Sequence, residues 1–150
     1  MNDIRIEHIP ALDALPSWTS LEQLAQLFHD NMKPFQDTVP DVRAALDYAF
    51  VAGKGQGGFL VLASREEQML GALLMLDTGM GGYIPKLVLL FVWVSPELRG
   101  QGVGRKIIDE ALRHCDGEVK LHVEYENPAK RLYERMGFTS KYAEMRLVRK

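Results

Sequence analysis

Arg99-Gly100-Gln101-Gly102-Val103-Gly104 is the stretch whose residue types and spacing point most clearly to chemistry. It follows the apolar run Leu87 to Val94 and opens an amphipathic stretch that continues to Cys115. Where a strand gives way to a helix, the first amides of the helix point at one spot, and the helix dipole adds positive potential there. Small residues let an anion approach that backbone closely. Arg99 and Arg105 can add charge-assisted hydrogen bonds. The segment reads as a cradle for a phosphate or pyrophosphate. The plainer alternative is that its glycines serve only a tight turn and close helix packing. Other phosphate motifs fit less well. A Walker A loop needs Gly-Lys followed by Ser or Thr, whereas Gly104 is followed by Arg105 and Lys106. The dinucleotide fingerprint spaces its glycines Gly-x-Gly-x-x-Gly, unlike Gly100, Gly102 and Gly104.

The elements that must hold this turn follow from periodicity. Asn2 to Ile9 alternates and predicts a strand. Thr19 or Ser20 can cap a helix carrying Leu21, Leu24, Ala25, Leu27 and Phe28 on one face, and Glu22 stands three residues after Thr19. Lys33-Pro34 ends it. Pro40 and Asp41 open a second helix with Val42, Ala45, Leu46, Ala49 and Phe50 on its apolar side. Phe59 to Ala63 and Met69 to Asp77 predict a hairpin turning at Arg65-Glu66-Glu67. Leu87 to Val94 is too apolar for an exposed edge and predicts a strand buried on both faces. A helix from Gly102 to Cys115, a strand from Val119 to Val123 and a short helix after Asn127-Pro128 follow. Gly137 stops that helix, and Phe138 to Arg149 holds one or two final strands. The expectation is a single α/β domain with a mixed sheet.

Composition narrows the classes. The chain has 150 residues, one domain's worth with room for one core. Apolar residues make up 47% and charged residues 25%, typical of a globular protein. Lys plus Arg is 18 and Asp plus Glu is 20, a formal net charge of -2, which disfavours a dedicated nucleic-acid binder. One cysteine, Cys115, excludes an intramolecular disulfide. The first residues lack an apolar signal core, and Leu87 to Val94 is too short to cross a membrane. A cytoplasmic setting is expected.

Set between those elements, Arg99-Gly100-Gln101-Gly102-Val103-Gly104 resembles the acyl-CoA-binding signature of the GNAT superfamily of N-acetyltransferases. That signature is Gln or Arg, two residues, Gly, one residue, then Gly or Ala. Arg99, Gly102 and Gly104 match its fixed places. The resemblance extends upstream to Val92, Val94 and Pro96. Downstream, Val123, Asn127, Ala129, Leu132, Tyr133, Gly137 and Phe138 resemble the family's second signature region. It implies a GNAT-like domain over residues 1–150, with a mixed, mostly antiparallel central sheet flanked by helices. It implies that amides of Gln101, Gly102, Val103 and Gly104 hold the pyrophosphate of acetyl-CoA, aided by Arg99 and Arg105. The main chain near Val92 and Val94 would pair with the pantetheine arm where two strands splay apart. Asn127 would lie near the pantetheine and Tyr133 near the sulfur.

Acetyl transfer to an amine needs a neutral amine, a polarised carbonyl and a stabilised thiolate. Tyr133 suits the last role, although its place on an apolar helix face also fits a core tyrosine. A main-chain amide near Val92 or Trp93 suits the second. The general base is open among Glu126, Glu124, His122, Asp77 and Glu144, with a water chain or an amine that arrives neutral equally admissible. Cys115 falls on a buried helix face and is a poor nucleophile. The histidines lack metal-ligand spacing, so no metal is implied. Phe35, Gln36, Asp37, Tyr83 and Trp93 are candidates for the acceptor pocket. Asp37 or Asp77 would attract an ammonium there, or serve as an ordinary exposed carboxylate. The expected activity is acetyl transfer from acetyl-CoA to an amine of a small molecule or peptide. The alternative is a non-catalytic acyl-CoA sensor. A homodimer is open, with Trp18, Phe59 or the C-terminal strand as contacts.

Overall fold

The computed structural model describes residues 3–149. The expected start of the first strand at Asn2 lies outside them; the strand observed, β1, is Arg5–Ile9. Helix α1, Leu21–Asn31, is capped by Ser20, whose hydroxyl accepts from the Gln23 amide at 3.1 Å. Thr19 makes no such cap, and its hydroxyl is buried without a partner among the described residues. Helix α2, Val39–Phe50, starts before the expected Pro40 because Thr38 accepts from the Asp41 amide. Pro40 is then tolerated in the first turn, where its missing N–H is no loss.

Strands β2, Gly58–Arg65, and β3, Gln68–Asp77, form the expected hairpin. Its turn places Glu66 and Glu67 at φ of 52° and 62°. Strand β4 is Leu87–Val94. Helix α3 is Val103–Arg113, with Gly102 as its cap residue. Strand β5 is Val119–Leu121, two residues shorter than expected, and helix α4 is Ala129–Arg135. The sheet runs β1-β2-β3-β4-β5, antiparallel except for the parallel β4–β5 pair.

This sheet separates two cores. Val61, Ala63, Leu73, Met75 and Leu89 meet Ile107, Ile108 and Ala111 of α3 on one face. Leu60, Leu62, Leu74, Phe91 and Trp93 meet Leu24, Phe28, Val42 and Leu46 of α1 and α2 on the other. Burial on both faces explains why β2, β3 and β4 lack polar alternation. No described helix is long and apolar enough to cross a membrane.

The final strands expected between Phe138 and Arg149 are a correction. Residues 138–149 form no strand, and their side chains beyond Phe138 are exposed. Alternation shows that a segment can present two faces. A strand also needs a partner edge, and this segment has none among the described residues.

Candidate active site

The site starts with an irregularity in β4. Leu74 pairs with Phe91 and Met75 pairs with Leu89, so Leu90 is an extra residue, a β-bulge. The extra residue switches which side chains face which core. Leu87 and Leu89 lie in the α3 core, and past the bulge Val92 and Val94 also reach it, while Phe91 and Trp93 join the α1–α2 core. Strand β5 stays with β4 only from Leu87 to Leu89. From Leu90 to Val94 the β5-side edge of β4 has no strand beside it among the described residues. The sheet opens there.

The chain then turns through Pro96–Leu98, a single 3-10 turn, into Arg99–Gly102. Gly100 and Gly102 have φ of 79° and 81°, which only glycine adopts readily. Open space surrounds the position of a Cβ at either residue. Gly104 instead faces Leu132 and Val94, each 3.6 Å from where its Cβ would sit. Packing thus accounts for Gly104, while Gly100 and Gly102 face open space. The backbone amides of Gly100 through Arg105 have no protein acceptor among the described residues. No side chain caps α3, and no acid stands in its first turn. These donors are aimed at solvent in a positive field.

Arg99 is placed differently from the expectation of an anion ligand. Its Nε donates to the Val94 carbonyl at 3.2 Å, and its terminal nitrogen to the Asn31 carbonyl at 3.4 Å. It ties the end of β4 to the end of α1. Gln101 donates its side-chain amide to the Glu97 carbonyl at 3.0 Å. Arg105 stands 3.8 Å from Asp109 one turn on.

Asn127 holds α4 in place by accepting from the Ala129 amide at 2.9 Å. Tyr133, on the inward face of α4, is 7% exposed and packs edge-on to Phe138 at 5.9 Å. Burial pushes its phenol up to about 12. Glu126 lines an open hollow of about 420 Å³ with Asn127, Arg131 and Glu134. Tyr133 is absent from that lining, so the structure does not bring these two expected groups into one pocket. Glu124 and His122 are exposed. The Cys115 thiol donates to the Ala111 carbonyl, and burial, with Asp116 nearby, pushes it up to about 11. Cys115 lies just past the end of α3 and is half-buried, and a raised pKa disfavours its thiolate.

On the opposite side, His29 Nδ1 lies 2.8 Å from the Asp37 carbonyl and steadies the α1–α2 link that carries Phe35 and Gln36. Asp77 accepts from the Gly79 amide through its carboxylate and from Tyr48 through its carbonyl, both at 2.8 Å. It is a loop anchor. Tyr83 is exposed beside Tyr142. Trp93 is 4% exposed, with its indole N–H unpartnered among the described residues. The bulge at Leu90 and the Thr38 cap escape sequence reasoning. An unbroken apolar run conceals which residue is extra, whereas Thr38 three residues before Asp41 was a readable cap signal.

The model of the acetyltransferase (GNAT) family matches residues 21–138. Over 99% of its length the chain is similar to the aminoglycoside N-acetyltransferase AAC(6')-Iy, solved in complex with CoA. The TM-score is 0.70 at 16% identity, covering 96% of that chain. It is also similar to a GNAT family acetyltransferase from Streptococcus pneumoniae, with TM-score 0.68, 18% identity and coverage of 99% and 100%. A transcriptional regulator from Bacillus halodurans matches with TM-score 0.66, 20% identity and coverage of 97% and 99%. At these identities the likeness is one of fold. No curated protein matches the chain. The chain belongs to the acetyltransferase (GNAT) family. By class it is an acetyl-CoA-dependent acyltransferase.

Proposed function

We propose that residues 1–150 form an N-acetyltransferase domain that moves the acetyl group of acetyl-CoA directly to an amine of a small molecule or peptide. The observation that carries this reading is the row of amides from Gly100 to Arg105 unclaimed among the described residues, beside a strand edge that no described strand covers. The amides of Gln101 to Gly104 suit a pyrophosphate. The open edge at Val92 and Val94 suits the amides of a pantetheine arm, added as a strand would be. Asn127, which fixes α4 beside that opening, completes the donor side.

In the transfer, the amine nitrogen bonds to the thioester carbon as the carbon–sulfur bond breaks. A phenol at about 12 is a weaker acid than a thiol at about 8.5. Tyr133 therefore stabilises the leaving sulfur by donating a hydrogen bond and keeps its own proton. The proton that ends on sulfur comes from the attacking amine, carried by water. A reducing, cytoplasmic setting fits the lone Cys115. Self-association belongs to the same reading, because large exposed apolar side chains gather on the C-terminal segment.

The second reading, a non-catalytic acyl-CoA sensor, draws on the likeness to the Bacillus halodurans regulator. Following free thiol release from acetyl-CoA against grouped amines separates the two. Release that depends on a matched amine supports transfer. Tight acetyl-CoA binding without turnover on any amine group overturns it in favour of the sensor.

A further inference from the structure

Arg99 belongs to two places at once. Its main chain enters the turn in which Gly100, the next residue, begins the row of amides without an acceptor among the described residues. Its side chain leaves that turn. Nε donates to the Val94 carbonyl at 3.2 Å, and a terminal nitrogen reaches the Asn31 carbonyl, 68 positions away in sequence, at 3.4 Å.

Asn31 closes α1. The last carbonyls of a helix have no partner within it, and the dipole favours a cation beside them. A planar, forked donor suits two separate carbonyls. The Asn31 side chain donates back to the Leu27 carbonyl at 2.9 Å, so the residue that Arg99 holds is itself fixed to the last turn of the helix.

From Asn31 the chain passes into the α1–α2 link, residues 32–38. The link is firm within itself. The Phe35 amide donates to the Met32 carbonyl at 2.8 Å, His29 Nδ1 lies 2.8 Å from the Asp37 carbonyl, and Thr38 caps α2. The arm from Arg99 to Asn31 is the longest of these contacts, beyond the ~3.2 Å at which such bonds are strong, and Arg99 is exposed. It is the contact with most room to tighten.

We propose that Arg99 is a positioning residue and not an anion ligand: filling the cradle fixes its main chain, tightens its arm onto Asn31, and so sets the α1–α2 link against the bound donor. The inference rests on the N-acetyltransferase reading, in which that link borders the amine. It moves the first residue of the glycine signature from the donor's account to the acceptor's side. The coupling runs both ways, so an amine that orders the link tightens the donor through the same arm.

Hydrogen exchange read by mass spectrometry, with CoA as the probe, reports on both ends. In the intact protein, CoA should slow exchange about 5-fold at residues 100–105 and at residues 32–38. Arg99→Met keeps an apolar stem and removes both donors. It should hold CoA affinity within about 2-fold by calorimetry and keep the protection at 100–105, while the link no longer responds to CoA. Arg99→Lys returns one long cationic donor and should recover part of the link response. Failure of the intact protein to bind CoA overturns the N-acetyltransferase reading and this inference with it. Protection at 100–105 with none at 32–38 overturns the role of Arg99 alone, and so does a link response that survives in Arg99→Met. A loss of CoA affinity of about 10-fold or more in Arg99→Met, restored in Arg99→Lys, makes Arg99 an anion ligand and also overturns it.

Discussion

The two ends of α3 are finished in opposite ways. At its C-terminal end the polar groups have partners. The His114 amide caps the helix onto Ala111 and Leu112, and the Cys115 thiol reaches the Ala111 carbonyl. Glu110 binds both Arg113, at 2.6 Å, and the His114 ring, at 2.9 Å. His8 of β1 stacks on His114 at 3.6 Å. At the N-terminal end the first turn holds no acid, and among the described residues there is no side-chain cap and no acceptor for a run of amides. Both α1 and α2 start with a side-chain cap and an acidic residue. A glycine start costs stability, roughly a few tenths of a kcal/mol by comparison with a side-chain cap. The chain accepts that cost at the helix start that an acyl donor's phosphates would meet.

The sharpest way to break the contrast is to put an acid at the open end. Gly102→Glu should weaken acetyl-CoA binding by about 100-fold, ~2.8 kcal/mol, measured by calorimetry. Gly102→Ala carries the same backbone strain at φ 81° without the charge and should lose much less. Equal losses would assign the effect to strain, and unchanged affinity in folded Gly102→Glu would remove the cradle.

Next in size is Tyr133→Phe. Losing a hydrogen bond to a developing charge, worth ~1.5–3 kcal/mol, should lower kcat by about 10- to 100-fold with donor affinity kept. Because burial holds this phenol near 12, it stays protonated throughout the ordinary assay range. Any alkaline fall in rate below pH 10 that persists in Tyr133→Phe belongs to another group. Unchanged kcat where chemistry limits turnover would end its role.

The capped ends predict the reverse pattern. Thr38→Ala should lower unfolding free energy by about 1 kcal/mol in urea and leave donor affinity untouched. The smallest effect concerns the crowded end of α3. Burial first, then the His114 charge, lowers the pKa of His8. The unfolded chain therefore takes up that proton at higher pH than the fold does, and stability falls as pH drops through about 6.5. His8→Phe keeps a ring in the stack and should flatten the Tm between pH 7 and 5 by about 2 °C.

The legible parts of this fold had a local cause. Ser20, Gly102 and Asn127 stand where helices begin, and their residue types say so. The two-sided burial of Leu87 to Val94 follows from its lack of polar residues. What stayed hidden depends on partners distant in sequence. Nothing in Leu89-Leu90-Phe91 marks the middle residue as the bulge, because that depends on the register with β3. Arg99 matches an anion-binding pattern, yet two carbonyls from other elements claim its guanidinium. Glu144 to Leu147 alternates like a strand, and alternation cannot supply the edge it would pair with. The unclaimed amides were foreseeable from the glycines, but their number required every competing acceptor to be located.

The Glu66-Glu67 turn holds a reserve that selection has left unused. Both residues sit at positive φ in a two-residue hairpin, a conformation that Asn-Gly adopts with ease and glutamate does not. Each is strained by roughly 1 kcal/mol or more. The hairpin forms regardless, because the paired, buried length of β2 and β3 on either side over-determines it. The chain therefore folds with a margin. Its core tolerates a poor turn, just as it tolerates an uncapped helix, and an engineer seeking robustness for a variant damaged at the site can recover it at this corner.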